Sequence, residues 1–366
     1  MRGEQGSVVR VSLLRNGQPK ELSITRDVIP VSSIDAAFLL EPGTGYIRLN
    51  KFSSQTYHDF MVNLDSLVKK GMNKLVLDLR GNGGGLLDEA VEIADEFLDG
   101  DKLITYTEGR AFPKKEFRCR RNGLFEKGAL VVLADEGSAS ASEVLMGALQ
   151  DWDRATIIGR RSFGKGLVQE QFDLSDRSAL RLTIARYYTP TGRSIQRSYA
   201  QGGKAYYDAI HHRILEDSLA ATDGVDSSQV FHTKKGKLVY GGGGISPDIL
   251  IPSDSTKLNG NLLAAMANGL VFDYGYRLLM LKPALGKAYP SPSAFEEKYQ
   301  PDAFDWSVFQ SMAAKDSVTL TETDKNYLNR RLKASVARQL WRNAGYYEVM
   351  SRQDPFVQKA LEWLKK

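Results

Sequence analysis

Cysteine, histidine and long apolar runs are scarce in this sequence, and each scarcity excludes a class of site or protein. Cys119 is the only cysteine among 366 residues, so the chain has no internal disulfide and no cysteine-based zinc cluster. No apolar run approaches the ~18 residues of a membrane-spanning helix. No metal-binding motif surrounds the four histidines, so the sequence offers no catalytic zinc site. We predict exposed positions for all four: His58, His211, His212 and His232.

An excess of one charge is also missing. The chain has 49 basic and 44 acidic residues, a net charge of +5, and both signs are interspersed along its length. Nucleic-acid-binding proteins usually concentrate basic residues in one block or on one face, so we predict no nucleic-acid partner. The first residues, MRGEQGSVVR, contain no apolar segment of a signal peptide. We therefore expect the chain as written to be neither exported nor anchored.

Strand and helix patterns divide the chain into three parts. Residues 7–26 alternate apolar and polar side chains around Asn16-Gly17, a dipeptide typical of a tight β-hairpin. Two strands alone rarely make a domain, so this part resembles the end of a domain whose beginning is missing. From Gly45 onward strand and helix patterns alternate, which predicts an α/β layer with a largely parallel sheet. Helical patterns dominate from about residue 258 to the end.

The segment ALVVLADEGSASASEVLMGALQDW predicts a strand, a tight turn and a helix that begins at Ser140. Ser140 and Glu143 fit a capping box, in which a serine oxygen and a carboxylate bind the first free N–H groups of a helix. The second interpretation is a nucleophile, because a hydroxyl at a strand-to-helix turn is exposed beside N–H groups that can hold an oxyanion. The segment alone leaves both interpretations open.

A serine nucleophile needs a base, and Lys165 is the alternative to a histidine. It lies in GRRSFGKG, residues 159–166, which resembles a phosphate-binding loop but has Gly166 where Ser or Thr would hold magnesium. The next residues, LVQEQFDL, alternate with a period near two and predict a strand, whereas a phosphate loop precedes a helix. Glycines on both sides of Lys165 let the backbone approach another element closely. A neutral amine in this turn can accept a proton.

A glycine cluster follows the strand predicted in VLDLRGNGGGLLDEAVEI. It does not fit the dinucleotide pattern GxGxxG, because Leu86 takes the place of the last glycine. A plain turn accounts for one glycine, but three in succession, residues 83–85, suggest N–H groups that face a ligand or a reacting atom. An anion-binding or oxyanion-binding loop and a plain turn are both compatible with the residues.

Together, these segments resemble the C-terminal processing peptidases, also called tail-specific proteases, a bacterial and plastid family of serine proteases with a Ser/Lys dyad. The matching stretches follow the family's order and spacing over about residues 7–255: DLRGNGGG, EGSASASE, GRRSFGKGLVQ, YYTPTGRSIQ and GGGGISPDILIP. By this resemblance Ser140 is the nucleophile, Lys165 is the general base and Gln169 orients the lysine. The resemblance also implies an oxyanion hole made by the N–H of Ala141 and that of a glycine in the cluster, either Gly85 or Gly84.

The same resemblance implies a fold and its divisions. Residues 31–257 correspond to a crotonase/ClpP-like α/β protease core, and residues 1–30 to the C-terminal remnant of a β-rich PDZ domain. The carboxylate-binding groove of that domain would lie upstream of Met1. Residues 258–366 form an α-helical extension through which we expect homo-oligomers. The family is exported, so the expected location is the bacterial periplasm or cell envelope, although this chain shows no signal peptide.

The function implied is that of a serine endopeptidase that cleaves unfolded or C-terminally tagged proteins by acyl transfer. We expect protein or peptide substrates bound as extended strands, and no cofactor or metal. One alternative is a catalytically inactive peptide-binding scaffold of the same fold, although all three residues of the proposed dyad and its orienting glutamine are present. A second alternative is nucleotide binding through residues 159–166, against which the missing Ser or Thr and the following strand count.

Overall fold

The alternation of apolar and polar residues at the start of the chain corresponds to a β-hairpin. β1 (Val8–Arg15) and β2 (Gln18–Thr25) pair antiparallel, with Val8 opposite Thr25. Asn16 and Gly17 form the turn with φ of 54° and 78°, left-handed values that this dipeptide adopts readily. The hairpin prediction is confirmed. The computed structural model describes residues 1–29, 31–199, 202–204, 229–252 and 258–366, and it divides into two units, Met1–Ser32 and Ser33–Lys366.

The second unit contains two sheets and a short strand pair. Its described strands are β3 (Ile34–Glu41), β4 (Thr44–Leu49), β5 (Lys74–Asp78), β6 (Leu103–Glu108), β7 (Lys115–Arg118), β8 (Ala129–Ala134), β9 (Thr156–Gly159), β10 (Leu167–Asp173), β11 (Ala179–Tyr188), β12 (Val230–His232), β13 (Leu238–Tyr240) and β14 (Ile249–Leu250). Its described helices are α1 (Thr56–Lys69), α2 (Leu87–Asp95), α3 (Ala141–Asp151), α4 (Gly260–Ala267), α5 (Leu270–Leu281), α6 (Leu285–Ala288), α7 (Pro292–Lys298), α8 (Ala303–Lys315), α9 (Glu322–Ser351) and α10 (Pro355–Leu364).

The six-stranded sheet has the order β14-β9-β8-β5-β4-β3. Neighbouring strands run parallel except for β3, which pairs antiparallel with β4 at one edge. The α/β fold with a largely parallel sheet is therefore confirmed. Because the carboxyl ends of parallel strands meet at one edge of a sheet, the loops that follow β5 and β8 come together there.

Alternating side chains of the central strands enter two different cores. On one face Leu75, Leu77 and Val132 pack against α1, α2 and α3. On the other face Val76 and Val131 pack against the last helix, α10, through the apolar residues Phe356, Val357, Ala360 and Leu364. Because both faces of the sheet are covered, the sequences of its central strands are nearly continuous apolar runs.

The second sheet is antiparallel and has the order β10-β11-β6-β7. Its outermost strand, β10, begins two residues after Lys165, and the prediction that LVQEQFDL forms a strand is confirmed. Strands β3, β6 and β7 were not predicted from the sequence.

The chain after residue 258 is helical, as its patterns predict, and most of these helices share a core of their own. That core includes Tyr274 and Leu278 of α5, Phe309 of α8 and Leu332 of α9. Helix α9 is kinked at Arg342, where φ is 55° and ψ is −144°. No helix within the described ranges is both long and apolar enough to span a membrane.

Candidate active site

Ser140 occupies a sharp turn between β8 and α3. Its φ of 57° and ψ of −114° lie outside the regions that L-residues normally adopt, and α3 begins at the next residue, Ala141. The Ser140 residue is 8% exposed, at the carboxyl end of the central parallel strands. Backbone strain of this kind costs about 1–3 kcal/mol and persists at functional sites when the surrounding structure holds it. Ser140 is therefore a strained and nearly buried residue at the edge of the sheet where loops converge.

The carboxylate of Glu143 holds this turn. It is fully buried, and its Oε2 accepts a hydrogen bond from the Ser140 N–H at 2.8 Å, as a capping box predicts. The same oxygen accepts the N–H of Lys165 at 2.8 Å, and Oε1 accepts the N–H of Gly164 at 2.7 Å and the hydroxyl of Ser162 at 2.6 Å. Burial raises the pKa of the Glu143 carboxyl, and these four hydrogen bonds oppose the rise. One carboxylate thus fastens the Ser140 turn to the Lys165 loop.

Lys165 lies in the tight loop between β9 and β10. The flanking Gly166 packs so closely that a Cβ there would lie 2.7 Å from the Gln196 nitrogen, as the sequence analysis predicts for these glycines. The lysine is half-buried, and within the described part of the chain no carboxylate forms an ion pair with its amine.

The structure brings Ser140 and Lys165 together through their backbones, without a direct contact between their functional groups. The Ser140 hydroxyl and the Lys165 amine form no hydrogen bond with each other among the described contacts. Gln169 is exposed on β10, and its amide makes no hydrogen bond with Lys165. Catalytic hydrogen bonds are often long before substrate binds and tighten in the complex.

The glycine cluster after β5 lies directly against the Ser140 turn. A Cβ on Gly84, whose φ is 93°, would lie 2.8 Å from the Ser140 Cβ and 2.9 Å from the Ala141 nitrogen. Only a residue without a side chain fits here. The N–H of Gly84 already donates to Asn82 Oδ1 at 2.9 Å. Neither the Ala141 N–H nor the Gly85 N–H has an acceptor in the described chain, and Ala141 directly follows Ser140.

Asn82 and the link from Glu143 to the Lys165 loop are features of this site that were not predicted from the sequence. Asn82 is fully buried. Its side-chain Oδ1 accepts the Gly84 N–H, and its backbone oxygen accepts the N–H of Ala139 and the hydroxyl of Ser142, each at 2.9 Å. It joins the glycine loop to the turn of Ser140. The capping-box pattern pointed to Glu143 but not to its bonds with the distant lysine loop, and no local pattern marked Asn82.

A buried ion cluster supports the strand end from which the glycine loop departs. Asp78 accepts hydrogen bonds from the Tyr46 hydroxyl at 2.6 Å, from Arg48 at 2.8 Å and from Arg80 at 2.6 Å. Burial alone would raise the pKa of Asp78, but the guanidiniums of Arg80 and Arg48 hold it well below its usual range. Arg80 also pairs with Asp354 at 2.8 Å, which lies just before α10.

The histidines lie away from this arrangement or outside the described residues. His58 and His232 are exposed, as predicted. His211 and His212 lie outside the described residues. The described ranges contain no group of three His, Cys, Asp or Glu side chains placed to hold a metal ion.

The loop of residues 159–166 lacks the free N–H groups that a phosphate needs. The N–H groups of Gly164 and Lys165 are both bonded to Glu143, and β10 follows instead of a helix. The geometry therefore disfavours nucleotide binding through this loop.

Comparison with known proteins gives a consistent family. Residues 43–202 match peptidase family S41. The carboxy-terminal-processing protease of Bartonella bacilliformis is 40% identical over 202 residues, which cover 54% of this chain and 46% of that protein. The carboxyl-terminal-processing protease of Synechocystis sp. is 39% identical over 202 residues, or 54% of this chain and 47% of the relative.

A solved structure, the photosystem II D1 C-terminal processing protease, is 30% identical in sequence and superposes with a TM-score of 0.44. The match covers 70% of this chain and 58% of the chain in that structure. The chain spans about half the length of the curated relatives it matches. Residues 43–202 are thus similar to peptidase family S41, and the chain is similar to the carboxy-terminal-processing proteases.

Proposed function

We propose that this chain is a serine endopeptidase that cleaves unfolded or C-terminally tagged proteins, with Ser140 as nucleophile and Lys165 as general base. The observation that carries the proposal is the shared Glu143 carboxylate, whose Oε2 binds the backbone N–H groups of both residues at 2.8 Å. A single buried group therefore sets where the hydroxyl and the amine can meet. The family match and the named relatives support a serine-type peptidase.

The reaction would be acyl transfer. The Ser140 oxygen attacks the substrate carbonyl carbon while the neutral amine of Lys165 takes the hydroxyl proton. The carbonyl oxygen, now negative, lies between the open N–H groups of Ala141 and Gly85. The C–N bond then breaks, and Lys165 returns the proton to the leaving amine. Water repeats the sequence with the acyl-enzyme and releases the carboxylic acid.

Within the oxyanion hole we infer that Gly85 acts in preference to Gly84. The Gly84 N–H is occupied by Asn82 at 2.9 Å, whereas the N–H of Gly85 is open in the described structure. We also assign Gln169 to the orientation of Lys165, a role that requires its amide to turn toward the amine when substrate binds.

We propose the following divisions of the chain. Residues 1–30 are the remnant of a PDZ domain, for which the hairpin of β1 and β2 is the available support. Residues 31–257 are a crotonase/ClpP-like core, and residues 258–366 are an α-helical extension.

The extension is also where we propose contact between copies of the chain. Phe272, Tyr276 and Met280 lie at every fourth position of α5 and are 52%, 60% and 62% exposed. A continuous apolar stripe on a helix surface is typical of an interface. By resemblance, the location would be the bacterial periplasm or cell envelope.

Turnover of an unfolded protein by the parent chain and by two variants tests the function. Ser140→Ala and Lys165→Ala should each abolish cleavage and keep the far-ultraviolet circular dichroism of the parent. The double variant should lose no more than either single one, because the two residues act as one proton-transfer unit. Near-normal turnover by Lys165→Ala would show that the base has been misassigned, and no turnover by the parent chain itself would favour the inactive scaffold.

A further inference from the structure

The hairpin of β10 and β11 leaves a sheet edge open close to Lys165. In the sheet order β10-β11-β6-β7, β10 is outermost, and no strand of the described chain pairs with its outer side. Its residues from Gln169 to Asp173 are all exposed. Open edges display a row of unpaired N–H and C=O groups that another extended chain can join.

The register identifies which backbone groups point outward. The Leu174 N–H donates to the Ser178 oxygen at 2.8 Å, so Leu174, an even-numbered residue that directly follows β10, bonds toward the β11 side. The Tyr187 N–H donates to the Gly166 oxygen at 2.8 Å, which places another even-numbered residue toward β11. Because successive residues of an antiparallel strand alternate, the outward N–H and C=O groups belong to odd-numbered residues: Leu167, Gln169, Gln171 and Asp173.

One face of the same hairpin is apolar. Phe172 lies opposite Leu180, and Glu170 lies opposite Leu182, so these side chains project from one face. Phe172, Leu180 and Leu182 are 40%, 47% and 46% exposed. Side chains of a strand added at the edge would alternate between this face and the opposite one.

We propose that the outer edge of β10 binds an extended, unfolded segment of the substrate, whose alternate apolar side chains continue the face of Phe172, Leu180 and Leu182. The proposal rests on the peptidase function and deepens it by naming the binding strand. Its support is continuity: only Gly166 separates Lys165 from β10, so a chain paired along β10 leads directly to the proposed catalytic groups. Main-chain hydrogen bonds would supply affinity, and the apolar face would supply preference for alternating sequences.

A proline at position 171 tests the edge without disturbing the hairpin. Gln171→Pro removes one outward N–H, while the hydrogen bonds between β10 and β11 use other residues. Gln171→Ala is the matched control, because it removes the same side chain, including its bonds to Asp173 and Arg181, and keeps the N–H. Both changes are made in Ser140→Ala, so that a bound peptide is not cleaved.

The probe is a fluorescein-labelled peptide of about twelve alternating Leu and Ser residues, long enough to span β10 at about 3.4 Å per residue. We expect Gln171→Pro to weaken its binding about tenfold, measured by fluorescence anisotropy, and Gln171→Ala to change it less than about twofold. Equal binding by all three proteins, or no binding by any, would overturn the edge proposal.

If Gln171→Pro fails to fold, the same pairing can be tested from the peptide side. N-methylation removes backbone N–H groups of the peptide and leaves the protein unchanged. Methyl groups on alternate residues in one frame should weaken binding at least about tenfold, and those in the other frame should have little effect, because only every second N–H faces β10. Equal losses in both frames would contradict pairing with the edge. Cleavage by the parent is scored separately, so a failed edge and a failed peptidase assignment give different results.

Discussion

The turn of Ser140 and the hairpin of β10 and β11 differ sharply in how the fold holds them. The turn is strained, nearly buried and bound by Glu143 and by the Asn82 loop, so its polar groups have fixed partners. The hairpin is exposed over residues 169–173 and 179–183, and no strand of the described chain pairs with the outer backbone edge of β10. Residues that must meet at a reacting atom are held by buried hydrogen bonds, whereas a surface that receives varied sequences keeps its bonding groups free.

In the tightly held part of the fold around Ser140, changing a buried charge should cause a large loss of stability. Asp78→Asn leaves Arg48 and Arg80 facing a neutral group, and loss of one partner of a buried ion pair costs about 3–5 kcal/mol. Urea unfolding at pH 7 should show this loss, with Asp101→Asn at an exposed position as control.

The pH dependence of that loss follows from the lowered pKa of Asp78. Burial opposes the lowering, but the guanidiniums of Arg80 and Arg48 prevail. The stabilisation is therefore present above the unfolded pKa of about 3.9 and declines as pH falls toward the lower folded value. The difference in free energy of unfolding between the parent and Asp78→Asn should therefore decrease below about pH 4. A difference that stays constant with pH would contradict the stabilising role of the ion cluster.

Glu143→Gln should nearly remove catalysis while the protein stays folded. An amide in place of the carboxylate turns one of its acceptor atoms into a donor, which faces two donors in either orientation. We expect kcat to fall about 100-fold and the free energy of unfolding to fall by about 1–3 kcal/mol.

Ser162→Ala is the comparison for that variant, because it removes only one of the four donors to Glu143. Its loss of kcat should be distinctly smaller. If Glu143→Gln kept parental kcat on an unfolded protein, the carboxylate would not position the two residues.

Gly84→Ala and Gly83→Ala test whether the close contact between Gly84 and Ser140 matters for catalysis, with the neighbouring Gly83 as the control. A Cβ at Gly84 would lie 2.6 Å from the Ala139 oxygen, whereas nothing lies within 4 Å of one at Gly83. We expect Gly84→Ala to lower kcat about tenfold and Gly83→Ala to change it less than about twofold. Similar losses in both variants would mean that the close contact does not matter.

The hairpin should show the smallest effect on stability. Leu182→Ser alters an exposed side chain, so its free energy of unfolding should stay within about 0.5 kcal/mol of the parent. Leu77→Ala, in the buried core, should lose about 2–5 kcal/mol in the same urea experiment. A large loss from Leu182→Ser would show that the apolar face is covered by the protein itself.

Much of this arrangement was predictable because the patterns are local. The strand–turn–helix around Ser140, the strand after Lys165 and the Asn16-Gly17 turn each depend on residues close in sequence. The bond between Glu143 and the Lys165 N–H joins residues 22 positions apart, so a capping-box pattern cannot reveal it.

Other features depend on tertiary packing that no local pattern encodes. Asn82 joins the glycine loop to the Ser140 turn through tertiary hydrogen bonds, which its sequence neighbours do not reveal. The order of the antiparallel sheet, which makes β10 an edge, follows from pairing of β11 with the unpredicted β6. The family resemblance supplied the roles of Ser140 and Lys165 that the segments alone left open.

Labelling by a small fluorophosphonate tests the central claim most directly, since the reagent reacts with an activated serine and needs no strand-shaped substrate. Peptide mapping should place the label on Ser140 in the parent. In Lys165→Ala the labelling rate should fall at least about 100-fold, and in a variant with all four histidines replaced it should stay within about twofold of the parent. Label on another serine, or an undiminished rate in Lys165→Ala, would contradict a Ser140 nucleophile activated by Lys165.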